Sequence, residues 1–230
     1  MLRRIFCAWM LVNLLALPVC GASDWPDYMA GPQRSGAVEE TVEPGSTPAW
    51  VYRSDQKPLP GFQPKLAGTD TGGPQRLITQ TSTFDYAFSP VVSAGKLFLP
   101  LSSKDALLCL DAKSGTPLWT YYAEGAVRLA PVVVRDRVLF GSDDGHVYCL
   151  RTADGSLVWK YRAAANDKRI IANGRMASHS LVRTGIAVRD GVCYFASGIL
   201  PAVGGTLIHA VNLETGEGIW KEQTFAPPIG

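Results

Sequence analysis

The residues best placed to do chemistry lie in one basic stretch, RAAANDKRIIANGRMASHSLVR, in which Arg162, Lys168, Arg169, Arg175, His179 and Arg183 gather with Asn166, Asn173 and Gly174. Guanidinium groups match carboxylates, phosphates and sulfates in a two-pronged geometry. The stretch is therefore a candidate surface for a protein partner or for an anionic glycan or peptide. Its alternative is a solvated basic loop pinned by Ile170 and Ile171. Other chemistries find little support. His146, His179 and His209 are too scattered for a zinc motif, and the Asp143-Asp144 pair is accounted for by a hairpin turn, with His146 beside it read as a solvated strand residue. The sequence contains no G-x-x-x-x-G-K-[ST] phosphate loop, no G-x-S-x-G nucleophile elbow and no N-x-[ST] sequon.

Such a loop needs a scaffold, and composition says what kind is possible. A chain of 230 residues, 47% apolar and 18% charged, can bury a core the size of one large β domain. With 22 basic against 20 acidic residues the net charge is +2, which gives no electrostatic reason to expect nucleic acid or an anionic membrane as partner. The 23 glycines and 16 prolines suit many short strands joined by tight turns.

Residues 1–22 read as a secretory signal peptide: Arg3 and Arg4, an apolar run from Ile5 to Val19, then Cys20, Gly21 and Ala22. Cleavage is expected after Ala22, giving a secreted or periplasmic protein with no transmembrane domain once the signal is removed. The competing possibility is a lipoprotein with Cys20 lipidated. Three cysteines then remain, Cys109, Cys149 and Cys193, an odd number that cannot all pair within one chain and that reads as small core residues.

Residues 23–87 form a lead-in with Trp25 and Tyr28, an isolated strand at Thr47–Tyr52, and a Gly/Pro-rich excursion. From residue 88 a period of two takes over. The clearest unit, VLFGSDDGHVYCLRTADGSLVWKYR, alternates, turns at Asp144-Gly145, alternates again, turns at Asp154-Gly155 and closes on Trp159. Its four strands are expected at Ala130–Val134, Arg137–Ser142, His146–Arg151 and Ser156–Arg162. Copies before and after it give units of about 88–122, 130–162 and 184–221. Trp119 and Trp159 lie 40 residues apart, the length of one propeller blade, whereas Trp159 and Trp220 lie 61 apart, a blade carrying the basic stretch as an insertion.

CLDAKSGTPLW, CLRTADGSLVW and AVNLETGEGIW resemble the eleven-residue tryptophan-docking motif of the PQQ-like (quinoprotein-type) β-propeller repeat, A-x-D-x-x-x-G-x-x-x-W. The resemblance implies structural roles for Gly115, Trp119, Gly155, Trp159, Gly216 and Trp220. Arg151 and Asn212 stand where the motif has aspartate, so the turn bonding open to Asp111 is expected to differ in those blades. DWPDYMAGPQRSG, SDDGHVYCL and GRMASHSLVRTG look more loosely like secreted PQQ-like repeat proteins of planctomycete-type bacteria.

The fold expected is all-β: a partial β-propeller, an open arc of about three four-stranded antiparallel blades plus an N-terminal lone strand, with the remaining blades of a longer chain missing. The function expected is a non-catalytic binding or assembly scaffold at the cell envelope, with no cofactor. The resemblance also implies an alternative, a periplasmic alcohol or sugar dehydrogenase carrying PQQ with calcium, although the adjacent cysteines common in such enzymes are absent. A third possibility is an accessory or sensory part of a longer multidomain protein.

Overall fold

Each blade begins as a meander, because the alternating runs are joined by turns too short for any connection but an antiparallel hairpin. The computed structural model describes residues 24–31, 34–37, 45, 47–58, 88–172, 175–198 and 205–224. The signal sequence with Cys20, most of the Gly/Pro-rich excursion and Asn173 lie outside the described residues. Three four-stranded sheets follow one another, each with its strands in sequence order. The first holds β1 (Val91–Ser93), β2 (Lys96–Leu101), β3 (Ala106–Asp111) and β4 (Pro117–Tyr122). The second holds β5 (Val132–Val134), β6 (Arg137–Gly141), β7 (His146–Arg151) and β8 (Leu157–Arg162). Between the second and third, β9 (Arg169–Ala172) and β10 (Arg175–Ser178) make a separate hairpin. The third sheet holds β11 (Ala187–Arg189), β12 (Val192–Ser197), β13 (Thr206–Asn212) and β14 (Gly218–Thr224).

The innermost strands β1, β5 and β11 neighbour one another in that order, so the sheets fan around a shared inner edge as an open arc. This placement explains the burial. Middle strands such as ALLCLD in β3 are buried on both faces, here by the second blade on one side and by Trp50 and Tyr52 on the other, while PLWTYY in β4 runs along the rim and is largely exposed. Two main cores result, one between the first and second blades around Phe98, Val138 and Phe140, the other between the second and third around Leu139, Trp159 and Phe195.

The tryptophans rivet the sheets together. In every blade the pairing of the third and fourth strands slips by one residue, at Cys109/Leu110, Cys149/Leu150 and Ala210/Val211. That bulge turns the neighbouring tryptophan toward the next blade. Trp119 Nε1–H donates to the Thr152 carbonyl at 3.2 Å, and Trp159 Nε1–H to the Leu213 carbonyl at 2.9 Å. Each acceptor stands three residues before a glycine, and the indole lies flat on that glycine. A Cβ on Gly155 or Gly216 would come within 2.6 Å of the ring.

Thr47–Tyr52 departs from its expected form. It is not a strand, because no neighbouring strand offers it a ladder among the described residues. Its tryptophan nevertheless docks like the others: Trp50 Nε1–H donates to the Ala112 carbonyl at 3.0 Å, with Gly115 beneath the ring. Two turns also differ. Asp144-Gly145 belongs to a wider turn bracketed by Ser142 and His146, in which only Gly145 takes positive φ. Asn212 bonds its loop much as Asp111 does, since an amide oxygen accepts as a carboxylate oxygen can. Asp111 Oδ1 accepts from the amides of Lys113 and Ser114 at 3.1 and 2.7 Å, and Asn212 Oδ1 from those of Glu214 and Thr215 at 2.9 and 3.0 Å. Only the Arg151 blade changes, with Asp154 Oδ1 accepting from the Ser156 amide at 2.9 Å.

An aromatic triad recurs at both blade interfaces: Tyr121, Phe140 and Tyr148 at the first, Tyr161, Phe195 and His209 at the second. His209 is 1% exposed, stacks on Phe195, and contacts Tyr161 Oη through Nδ1 and Ser197 Oγ through Nε2. Ser197 Oγ–H donates to the Ala163 carbonyl at 3.0 Å, so the serine oxygen accepts from Nε2–H, and in the neutral ring Nδ1 accepts from Tyr161 Oη–H at 3.2 Å. Burial, helped by Lys221, lowers its pKa from 6.5 to about 4. In the unfolded chain the same group gains its proton near pH 6.5. The stability contributed by keeping it neutral is thus complete above about pH 6.5 and is lost as pH falls toward 4, by at most about 3 kcal/mol. His209→Leu, which copies Leu108 of the first blade, should flatten the dependence of unfolding free energy on pH across that window. An unchanged slope in urea titrations at pH 4.5 and 7 would count against this role.

Candidate functional site

The basic stretch folds as a hairpin rather than a loop. Its neighbours stitch it to the turn between β6 and β7: the amides of Ala163 and Ala164 donate to the Gly145 carbonyl at 2.9 and 3.0 Å, and the Ser178 amide to the Asp143 carbonyl at 2.7 Å. Alternation then sorts the side chains. Ile170 packs on buried Ala177 and Leu181, whereas Ile171 and its cross-strand partner Met176 are 75% and 53% exposed. Only Ile170 pins the element; Ile171 faces outward because adjacent strand residues point to opposite sides.

The cations do not converge on one ligand. Arg162, Lys168 and Arg169 border a small pocket with Asp144, His146 and Ser178, of about 30 Å³, the room of roughly one water molecule. Arg162 pairs with Asp167 at 2.8 Å and Arg169 approaches Glu124 at 3.8 Å, a carboxylate already held by Lys160 at 2.5 Å. Arg175 leaves the group entirely. Its guanidinium reaches back to the first blade, donating to the Ser102 and Ser103 carbonyls at 3.0 and 3.4 Å and pairing with Asp105. Burial raises the Asp105 carboxyl pKa, and Arg175 opposes that rise. The residue is a strap across the blades. His179 contributes its backbone amide to the Lys168 carbonyl at 2.8 Å, and Arg183 lies elsewhere, on a cleft at the inner edge of the arc.

The acidic turn beside the hairpin is buried and committed. Arg128 Nε–H donates to Asp143 at 2.6 Å, with both side chains under 10% exposed. Asp144 accepts from Tyr148 Oη, from the His146 amide at 2.9 Å and from the Glu124 amide at 3.2 Å. Burial pushes its carboxyl up, but the hydrogen bonds from His146 and Tyr148 outweigh it and the pKa ends below the ordinary value. His146 is accordingly half-buried beside Asp144 rather than solvated. The three cysteines are buried and unpaired, and burial raises their thiols to about 12, 11 and 12, which leaves them inert as nucleophiles.

Sequence reasoning missed the inner cleft. About 400 Å³ in volume, it is lined by Asp27, Tyr28 and Arg34 of the lead-in, by the run ahead of β5 and by the run ahead of β11. No local pattern marks it, because its walls come from four distant segments, Ser89 ahead of β1 being the fourth. Among the described residues no three His, Cys, Asp or Glu side chains gather to hold a metal. No helix among them is long and apolar enough to cross a membrane.

Consecutive four-stranded sheets, each locked to the next by a tryptophan lying on a positive-φ glycine, define a β-propeller of PQQ-like repeats. Residues 76–230 match the profile of the family described as outer membrane protein assembly factor BamB, and the chain belongs to that family. It is also 30% identical, over 139 residues, to the quinoprotein ethanol dehydrogenase of Pseudomonas aeruginosa, covering 56% of this chain and 22% of that enzyme. Among solved structures, the quinohemoprotein alcohol dehydrogenase ADHIIG of Pseudomonas putida HK5 superposes with a TM-score of 0.50 at 21% identity, covering 61% of this chain and 22% of the other. The quinohemoprotein alcohol dehydrogenase of Comamonas testosteroni gives the same TM-score and identity, over 59% and 20%. These likenesses establish the propeller fold, and the chain spans about a fifth of the length of each enzyme.

Proposed function

We propose that this chain is a non-catalytic binding and assembly scaffold of the cell envelope, and that the β9–β10 hairpin is the face it offers to a protein partner. One observation carries the reading. The hairpin is fastened to two blades, through the Gly145 and Asp143 carbonyls and through Arg175, yet it holds the apolar pair Ile171 and Met176 in solvent beside Arg162, Lys168 and Arg169. An exposed apolar pair on a rigid support, rimmed by charge, is what a protein-binding surface requires. Membership of a family described as an outer membrane assembly factor supports the envelope setting. A photo-crosslinking residue at Ile171 should give discrete protein adducts in cells, and the same residue at Leu157, 48% exposed on the rim of the second blade, should not. Equal labelling at both positions would sink the proposal.

The second reading, a quinone-dependent alcohol or sugar dehydrogenase, is favoured by the identity to the Pseudomonas aeruginosa enzyme. Mixing the purified protein with PQQ and calcium separates the two. A scaffold gives no protein-bound chromophore after gel filtration and no dye reduction with ethanol or glucose. A stoichiometric chromophore with turnover makes it an enzyme.

A further inference from the structure

Strand β9 has an open backbone edge, and the phase of the hairpin fixes which groups line it. The His179 amide donates to the Lys168 carbonyl at 2.8 Å, so those two residues form a hydrogen-bonded pair at the root of the hairpin. Pairing then runs without a slip through Arg169↔Ser178, Ile170↔Ala177 and Ile171↔Met176. Bonded and non-bonded pairs alternate along an antiparallel ladder. Ile170 and Ala177 therefore bond to each other, while the N–H and C=O groups of Arg169, Ile171, Met176 and Ser178 point away from the partner strand. The Ser178 amide displays this phase directly, since it leaves the hairpin and donates to the Asp143 carbonyl at 2.7 Å.

The two edges have different surroundings. β10 lies on the side where the element is fastened, through Ser178 to Asp143 and through Arg175 to the Ser102 and Ser103 carbonyls. β9 lies on the other side, and among the described residues no hydrogen bond engages its outward backbone groups at Arg169 and Ile171. The rim strands β4, β8 and β14 also end their sheets, but each holds an extra residue at the slip beside its tryptophan: Leu118, Val158 and Ile219. Such a bulge spoils an edge for further pairing. β9 has none.

The side chains along this edge set what an added strand must carry. Residues directly opposite in paired strands point to the same face. Arg169, Ile171 and Met176 share the outward face of the hairpin, away from Ile170 and buried Ala177. Ile171 calls for an apolar neighbour. Arg169 calls for an acid: it is 54% exposed, and its contact with Glu124 at 3.8 Å is too long for a hydrogen bond.

We propose that β9 takes an extended segment of the partner protein as an added antiparallel strand, with an apolar residue opposite Ile171 and an acidic residue two positions later opposite Arg169. The apolar residue exchanges both backbone hydrogen bonds with Ile171, which gives affinity, and the alternate side chains give specificity. This rests on the reading of the hairpin as a protein-binding face. That reading needs the exposed side chains alone, whereas strand addition needs the backbone edge as well.

Fluorescence anisotropy of the full chain with a labelled peptide, Thr-Thr-Ile-Thr-Glu-Thr-Thr, tests it. Saturable binding with a Kd below about 1 mM is expected. N-methylation of the peptide's isoleucine removes the N–H that faces Ile171 and should weaken binding at least about tenfold, whereas N-methylation of the threonine after it, whose N–H points to solvent, should change affinity less than about twofold. Replacing the peptide's glutamate by glutamine should weaken binding to the parent by about three- to tenfold and leave binding to a folded Arg169→Gln protein unchanged. Equal affinity of the two N-methylated peptides, or no saturable binding of the unmodified one, overturns strand addition, even where a crosslinker at Ile171 captures a protein in cells. Absence of adducts at Ile171 removes the partner reading and this inference with it.

Discussion

Trp159→Ala is expected to lower the unfolding free energy by about 3–5 kcal/mol, the cost of removing a buried aromatic from a packed interface. The side chain is 8% exposed and lies within the core between the second and third blades, against Leu139, Phe195 and Leu213. Its indole N–H is satisfied by the Leu213 carbonyl, which the truncation leaves without that donor. Gly216→Ala attacks the same joint from the other side. At φ of 74° a Cβ is strained by about 1–2 kcal/mol, and here it would also overlap the indole, 2.6 Å from Cγ. Trp220 provides the control. It occupies the same place in the repeat but is 46% exposed, and Trp220→Ala should stay within about 0.5 kcal/mol of the parent. Urea titrations followed by circular dichroism measure all three. Equal costs at Trp159 and Trp220 would show that docking is not what holds the blades.

Arg128→Met should cost about 3–5 kcal/mol, for an electrostatic reason. The Arg128 and Asp143 side chains are 9% and 6% exposed and meet at 2.6 Å, so removing the guanidinium leaves a carboxylate in a poorly hydrated place without its cation. Asp143 also sits where three elements join, its amide donating to the Ala126 carbonyl and its own carbonyl accepting from Ser178 of the hairpin. The double variant Arg128→Met/Asp143→Leu should recover much of the loss, because replacing both members of a buried pair removes the desolvation penalty along with the attraction. By contrast, Arg135→Ala, which loses a 3.3 Å contact to Glu214 between groups 78% and 52% exposed, should cost about 0.5 kcal/mol or less. If the double variant is as unstable as the single, the pair is not the origin of the effect.

The fold was legible because its determinants are local and periodic. In the second blade the observed strands start within two residues of their expected positions, since alternation and the turn residues of one hairpin fix both boundaries and faces. Trp119 and Trp159 could be assigned to inter-blade contacts from spacing alone, as the repeat places every tryptophan at the same bulge. Trp50 was legible only in part. The tryptophan docks as its siblings do, but whether its backbone forms a strand depends on a neighbouring ladder that no local pattern specifies.

The candidate site was the less legible part. Six basic residues of one stretch look alike in sequence, yet Arg175 spends its guanidinium on Asp105, 70 positions away, while Arg183 turns to a cleft shared with Arg34 and Arg128. By itself the sequence determined an all-β array of PQQ-like blades, the tryptophans that lock them and the place of the insertion, because each shows as a pattern that recurs about every 40 residues or as a break in it. Only the tertiary structure decided which cations are consumed, which border a cavity and which of Ile170 and Ile171 meets solvent. Those outcomes depend on which distant chain segment lies opposite, and the types and spacing of neighbouring residues carry no record of that.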